Sequence, residues 1–400
     1  MGSQNSGGIA VQGAHASDSA GVWTFLSSTV SFSAESCLPY QKPHMDCAAC
    51  AESCPAGAVA LVDRRPDIGS GCIACGRCAV ACPTGAIKVR GFDYPLALAG
   101  TVALECARVS MDERADDAIA VPCLAGVVAE DILALHRAGA TQTVFLDRGW
   151  CATCEAGCGE KQPWAKAVRQ AAEWLTAMGL PASSLPAGMI DHLSARRALP
   201  LGRAAEPVDR SRRALLARIR AVTPDAQPPS PSLTSEWEYV RIPRRERAIA
   251  ALAALADRWS REVPVSVFPD MRASEACALH GVCVAVCPTG ALTRFEDGEA
   301  GVGRLEFAPA LCIACGECVG RCPELALALS LHAEGDNASQ PRVITRRAVR
   351  ECAGCKQLFT LNNNNTLCPS CDKTATFAKA GFALFRAAGP PAEERDPYLA

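Results

Sequence analysis

Cysteine carries the strongest chemical signal in the chain. Cys72, Cys75, Cys78 and Cys82 stand at gaps of two, two and three residues with proline after the last, and Cys312, Cys315, Cys318 and Cys322 repeat the pattern. Gaps of two residues let one tight loop aim three sulfurs at a single iron–sulfur cubane. Small residues such as Ala74 and Gly76 let the backbone approach, and the proline ends the loop. The fourth thiolate, before that proline, reaches a neighbouring cluster.

Crossed ligation then makes one 4Fe–4S site of Cys72, Cys75, Cys78 and Cys54. A second takes Cys47, Cys50, Cys82 and one further ligand. His44 keeps the register for that ligand, whereas Cys37 lies farther upstream but supplies the thiolate such clusters normally use; ligand type favours Cys37. The later cysteines repeat the scheme. Cys312, Cys315 and Cys318 with Cys287 complete a 4Fe–4S site, and Cys277, Cys283 and Cys322 share the other with His280, which stands where a thiolate belongs. Three outcomes follow for that site: His280 ligates iron and raises its potential, the site holds a three-iron cluster, or it is empty.

Two further groups differ. Cys106, Cys123, Cys151, Cys154 and Cys158 fall at or beyond the ends of apparent strands, within a strand, helix, strand, helix rhythm that implies a small parallel sheet covered by helices. Open sheets of this kind place ligands at strand ends, so four of these five cysteines read as a metal site. Cys352, Cys355, Cys368 and Cys371 form two Cys-x2-Cys knuckles twelve residues apart. That spacing makes a tetrathiolate cage for zinc, with a rubredoxin-like iron as the redox alternative.

The four groups account for all 24 cysteines of the 400 residues. A chain this long can build its own core, so disulfides are not needed, and a reducing, cytoplasmic setting is expected. A formal charge of −2 on 40 basic and 42 acidic residues argues against a general polyanion binder. No apolar stretch reaches the length of a membrane span, and the start of the chain lacks the pattern of a secretory signal. Phosphate loops, dinucleotide fingerprints, Ser–His–Asp frames and HExxH are all missing.

These groups need positioning elements, and the predicted fold class is a multidomain α+β and α/β chain. Two ferredoxin-like modules, residues 37–94 and 263–335, flank an α/β iron–sulfur domain at 95–222. A flexible tail occupies 1–36, a linker and helix 223–262, and a zinc-ribbon-like knuckle 345–385. The arginine-rich segments at 196–220 and 241–247 read as solvated helix faces.

Residues 96–190, with "VPCLAGVVAEDILALHRAGATQTVFLDRGWCATC", resemble the delta iron–sulfur subunit of methyl-viologen-reducing hydrogenases. That resemblance implies a 2Fe–2S cluster and electron passage into a heterodisulfide-reductase-type flavoprotein, although the cysteine spacing at 151–158 departs from the family's. The order of modules as a whole resembles the bacterial polyferredoxins associated with formate dehydrogenases. It implies a non-catalytic electron-transfer subunit with three to four 4Fe–4S clusters, serving redox partners of formate dehydrogenase or hydrogenase type. Neither nucleic acid nor direct membrane insertion is expected. The alternatives are a subunit of a heterodisulfide-reductase-like complex and an iron–sulfur maturation factor.

Overall fold

Alternation in "TVSFS" places the first well-packed strand inside the segment expected to be a flexible tail. Val30 and Phe32 are buried, and Ser33 donates its N–H to Ala86 O at 2.8 Å. The computed structural model describes residues 23–25, 29–190, 239–333, 339–361 and 365–387. The expected linker and the 196–220 arginines lie outside them.

The chain divides into two units, 1–267 and 268–400. The first opens with β1 (Trp23–Phe25), β2 (Val30–Ser33), α1 (Leu38–Gln41) and α2 (Ala49–Glu52). The hairpin β3 (Val59–Val62) and β4 (Arg65–Ile68), then α3 (Arg77–Ala81) and β5 (Ile87–Val89), complete this part. β2 lies between β1 and β5, both antiparallel to it, with Val30 opposite Val89 and Phe32 opposite Ile87. The tail boundary at residue 36 is therefore corrected, because strand pairing to a distant segment decided what the serine-rich composition concealed.

The α/β part follows with β6 (Gly100–Cys106), β7 (Ile119–Val121), α4 (Ala129–Ala138), β8 (Ala140–Asp147), α5 (Ala165–Ala177) and β9 (Ala187–Ile190). Its sheet is parallel throughout, in the order β7-β6-β8-β9. Leu104, Val121, Ile132, Leu135 and Phe145 are fully or almost fully buried between sheet and helices, and Phe145 stacks on Trp164 with ring centres 5.6 Å apart. Gly139 ends α4 at φ 121°, where any Cβ would lie 2.2 Å from Leu98 O. A parallel sheet brings the C-terminal ends of β7, β6 and β8 together on one edge, which is what the cysteine turns require.

Helix α6 (Pro243–Trp259) also belongs to this unit. Pro243 starts it, Ser260 ends it at φ 51°, and buried Leu252 and Leu255 pack it along α4. The arginines preceding and opening it are only in part a solvated face: Arg247 is exposed, but Arg241, Arg244 and Arg245 are half-buried. Arg244 pairs with Glu130 at 3.1 Å and donates to Cys82 O at 3.3 Å, and Arg241 meets Glu35 at 3.3 Å. Charge runs look alike in sequence whether they face water or carbonyls.

The second unit contains β10 (Asp270–Ala273), α7 (Val282–Val286), β11 (Leu292–Asp297), β12 (Val302–Phe307), α8 (Glu317–Gly320) and β13 (Leu327–Ser330). β14 (Arg342–Glu351), β15 (Leu358–Thr360) and α9 (Pro369–Ala387) follow. β10 and β13 form an antiparallel pair, and β11-β12-β14-β15 a four-stranded antiparallel sheet. The knuckle is thus not a separate domain starting at 345. Its strand begins at Arg342 and pairs along β12, whose outer edge was open to it.

Candidate metal centres

Three loops have the same backbone. Ala74 and Gly76 have φ 52° and 83°, Leu279 and Gly281 53° and 79°, and Ala314 and Gly316 54° and 77°. Two left-handed residues on either side of the middle ligand position wrap the chain round a point, and α3, α7 and α8 start immediately after them. A second turn follows each cysteine-proline pair. Gly57, Gly85 and Gly290 take positive φ there, and Leu325 does so in the fourth turn. These turns aim main-chain N–H groups at sulfur, from Ala58 to Cys54 at 3.3 Å, Ala86 to Cys82 at 3.2 Å and Ala326 to Cys322 at 3.3 Å.

In the first unit, burial pushes the Cys37 thiol up to about 12, and the sulfurs of Cys82, Cys50 and Cys47 add to the rise. Cys37 therefore lies among the three cysteines that lacked a partner. His44 is exposed, and its stretch is built differently: Ala48 has φ −121° and Asp46 is not left-handed. Cys78 is likewise raised to about 12 by burial, then by Cys75, Cys72, Cys50 and Cys54. The two groups are adjacent through Cys50 and Cys78.

In the second unit, Cys287, Cys312, Cys315 and Cys318 line one pocket of about 330 Å³, including space open to solvent. Cys277, Cys283, Cys322 and His280 line another of about 390 Å³, including space open to solvent. His280 sits on a loop with the same backbone as those of Cys75 and Cys315, and its Nε2 is 3.0 Å from Glu324 Oε1.

Four of the middle cysteines line a pocket of about 480 Å³, including space open to solvent, at the ends of β6, β7 and β8. Cys106, Cys123, Cys151 and Cys154 line it; Cys158 is exposed and is not part of the lining. Burial raises Cys106 and Cys123 and takes Cys151 up to about 12. Cys75 adds to the rise at Cys123, and both sit in one apolar cluster with Ile73, Ala125 and Ala156. The two loops are clasped by Arg77, which donates to Ala156 O at 3.1 Å and Gly157 O at 3.2 Å and pairs with Glu160. Gly126 is required at the contact, since a Cβ there would lie 2.4 Å from Cys75 O.

The terminal group is tighter. The Sγ atoms of Cys352, Cys355, Cys368 and Cys371 lie within 4.8 Å of one another, and Cys355 and Cys368 are 3.8 Å apart. Tetrahedral zinc with bonds of about 2.3 Å needs sulfurs about 3.8 Å apart. Main-chain N–H groups of Cys355 and Cys368 lower Cys352 to about 6, the latter at 3.2 Å from its sulfur. Among the described residues this is the one set of three or more Cys, His, Asp or Glu ligand atoms so compact. In the other groups no three ligand atoms lie so close together among the described residues, and the middle group and both groups of the second unit line pockets open to solvent, as sulfurs spread round a multi-iron cluster would. Raised thiols in the metal-free chain stay protonated at neutral pH, and loading must displace those protons.

Comparison with known families agrees with this geometry. Residues 275–326 match the 4Fe-4S dicluster domain and residues 70–88 the 4Fe-4S binding domain. The chain carries two ferredoxin-type 4Fe–4S domains. No curated protein matches it. Iron–sulfur binding and electron transfer of ferredoxin type follow from these domains, and no helix among the described residues is long and apolar enough to cross a membrane.

Sequence reasoning missed the residues that hold the groups in place. Arg77, Arg108, Asp147 and Arg244 all act on loops distant in the chain. Of these, only Arg77 carried a usable signal, standing between two ligand cysteines.

Proposed function

We propose that this protein is a polyferredoxin-type carrier relaying single electrons between a redox enzyme of formate dehydrogenase or hydrogenase type and an acceptor. The observation that carries the reading is contiguity within the first unit. Cys50 adjoins Cys78, and Cys75 adjoins Cys123, so three cysteine groups stand in sequence. In this reading Cys37, Cys47, Cys50 and Cys82 hold one 4Fe–4S cluster and Cys54, Cys72, Cys75 and Cys78 a second. Cys106, Cys123, Cys151 and Cys154 hold a 2Fe–2S cluster.

In the second unit, Cys287, Cys312, Cys315 and Cys318 hold a 4Fe–4S cluster, and Cys277, Cys283, Cys322 and His280 hold the other. Glu324 engages Nε2 of His280, and a ring held this way by a carboxylate would serve as a ligand in the arrangement common at metal sites. Zinc at the terminal knuckle stiffens the sheet to which β14 belongs. Such clusters, when bound, each accept and release one electron. The chain's own part is to separate them by packed residues, exclude water with buried Ile73, Ala125 and Ala156, and aim N–H groups at sulfur.

The middle domain's resemblance to a hydrogenase delta subunit favours a second reading, a subunit feeding a flavoprotein in a heterodisulfide-reductase-like complex. Bleaching of the loaded chain tests the donor. The carrier reading expects visible absorption to fall with formate and a formate dehydrogenase, or with hydrogen and a hydrogenase. A chain reduced by dithionite but by neither enzyme has a different donor.

A further inference from the structure

The middle group differs from the ferredoxin-type groups in what touches its sulfurs. Around Cys54, Cys82, Cys312 and Cys322 the donors include main-chain N–H groups. Here a full positive charge joins them: Arg108 Nη1 donates to Cys154 Sγ at 3.0 Å. The main-chain N–H of the same residue is hydrogen-bonded to Cys106. One residue thus contacts two of the four sulfurs.

Its position is built in. Arg108 lies in the turn leaving β6, which is closed by Val109 N–H to Cys106 O at 2.9 Å, while Ala107 N–H reaches Val121 O at 2.8 Å. Val109 is buried and anchors the turn. The neighbouring acid acts less directly. Asp147 Oδ1 is 3.8 Å from Cys151 Sγ, but its oxygens also accept the N–H of Gly149 at 2.8 Å and the indole N–H of Trp164 at 2.7 Å. Glu105 and Arg148, at 2.6 Å, largely cancel each other.

We propose that Arg108 is a positioning residue that raises the reduction potential of the centre held by Cys106, Cys123, Cys151 and Cys154. Reduction adds negative charge to a cluster and its thiolates, and a cation hydrogen-bonded to one of those sulfurs stabilises the reduced form more than the oxidised one. The inference rests on reading these four cysteines as an iron–sulfur site. A raised potential favours passage of one electron from the neighbouring centre at Cys75, oxidised in the step, to this one, reduced in it. No bond is made or broken and no proton moves.

The test is a redox titration of the loaded full-length chain followed by EPR, with Cys123→Ser identifying the signal that belongs to this site. In Arg108→Gln the midpoint of that signal falls while the others stay; in Arg108→Lys, which keeps the charge, it remains close to the parent. An unchanged or higher midpoint in Arg108→Gln overturns the inference, as does an equal shift of every signal. Loss of the signal in both variants also overturns it, because Arg108 is then only a structural support. A parent chain with no Cys123-dependent signal refutes the reading of the site itself, a result distinct from an unmoved midpoint.

Discussion

At the scale of single residues, two positions separate ligand type from register. Cys37 and His44 compete for one place, and burial together with three neighbouring sulfurs puts Cys37 there, while His44 is exposed. Cys37→Ala is expected to remove one cubane signal and about four irons, whereas His44→Ala leaves both. The opposite outcome in iron analysis and EPR assigns the place to the histidine. His280 is the reverse case, with the ligand-loop backbone intact and the ligand changed. Imidazole leaves a cluster less negative than thiolate does, so His280→Cys lowers the potential of one centre in the second unit and leaves those of the first unmoved. Unchanged potentials and iron content in that variant mean that His280 is a neighbour only. A gain of iron means that the natural site is incomplete.

At the scale of elements, α4 holds the α/β part to α6, and its buried His136 makes that packing sensitive to acid. Burial lowers His136 to about 4 from 6.5, against a smaller opposing pull from the Ala140 backbone, and Arg258 binds its carbonyl at 3.2 Å. Below pH 6.5 the unfolded chain takes up a proton that the folded chain refuses until about pH 4. The folded state's advantage is therefore complete above pH 6.5 and shrinks as pH falls, by an amount on the order of 3 kcal/mol at the limit. Denaturant midpoints of the loaded chain between pH 7.5 and 5 are expected to fall more steeply for the parent than for His136→Leu. Parallel slopes mean that His136 does not set the acid sensitivity.

Across the whole molecule, the parts written in local spacing were legible and those made by distant partners were not. The Cys72 and Cys312 runs, the Cys352 knuckles and the parallel β6–β8 core could be read directly, since spacing and periodicity are properties of adjacent residues. β2 was lost in a serine-rich stretch because its partner is β5. The strand of the knuckle ran into a ferredoxin-type sheet because β12 had a free edge. Selecting four of five middle cysteines required the end of a parallel sheet, where Cys158 turns outward at φ 52°. The clasp of Arg77 and the contact of Cys75 with Cys123 depend on how two loops meet, which no window of sequence contains.

In the reading proposed above, the cysteines form five iron–sulfur sites and one single-ion site. Metal and sulfide analysis of anaerobically prepared chain, with EPR of the reduced form, tests it most directly. Iron for four cubanes and one two-iron cluster is expected, about 18 irons with matching sulfide, and about one zinc. Iron for only one or two clusters, with full cysteine content and no further signals on chemical loading, contradicts it.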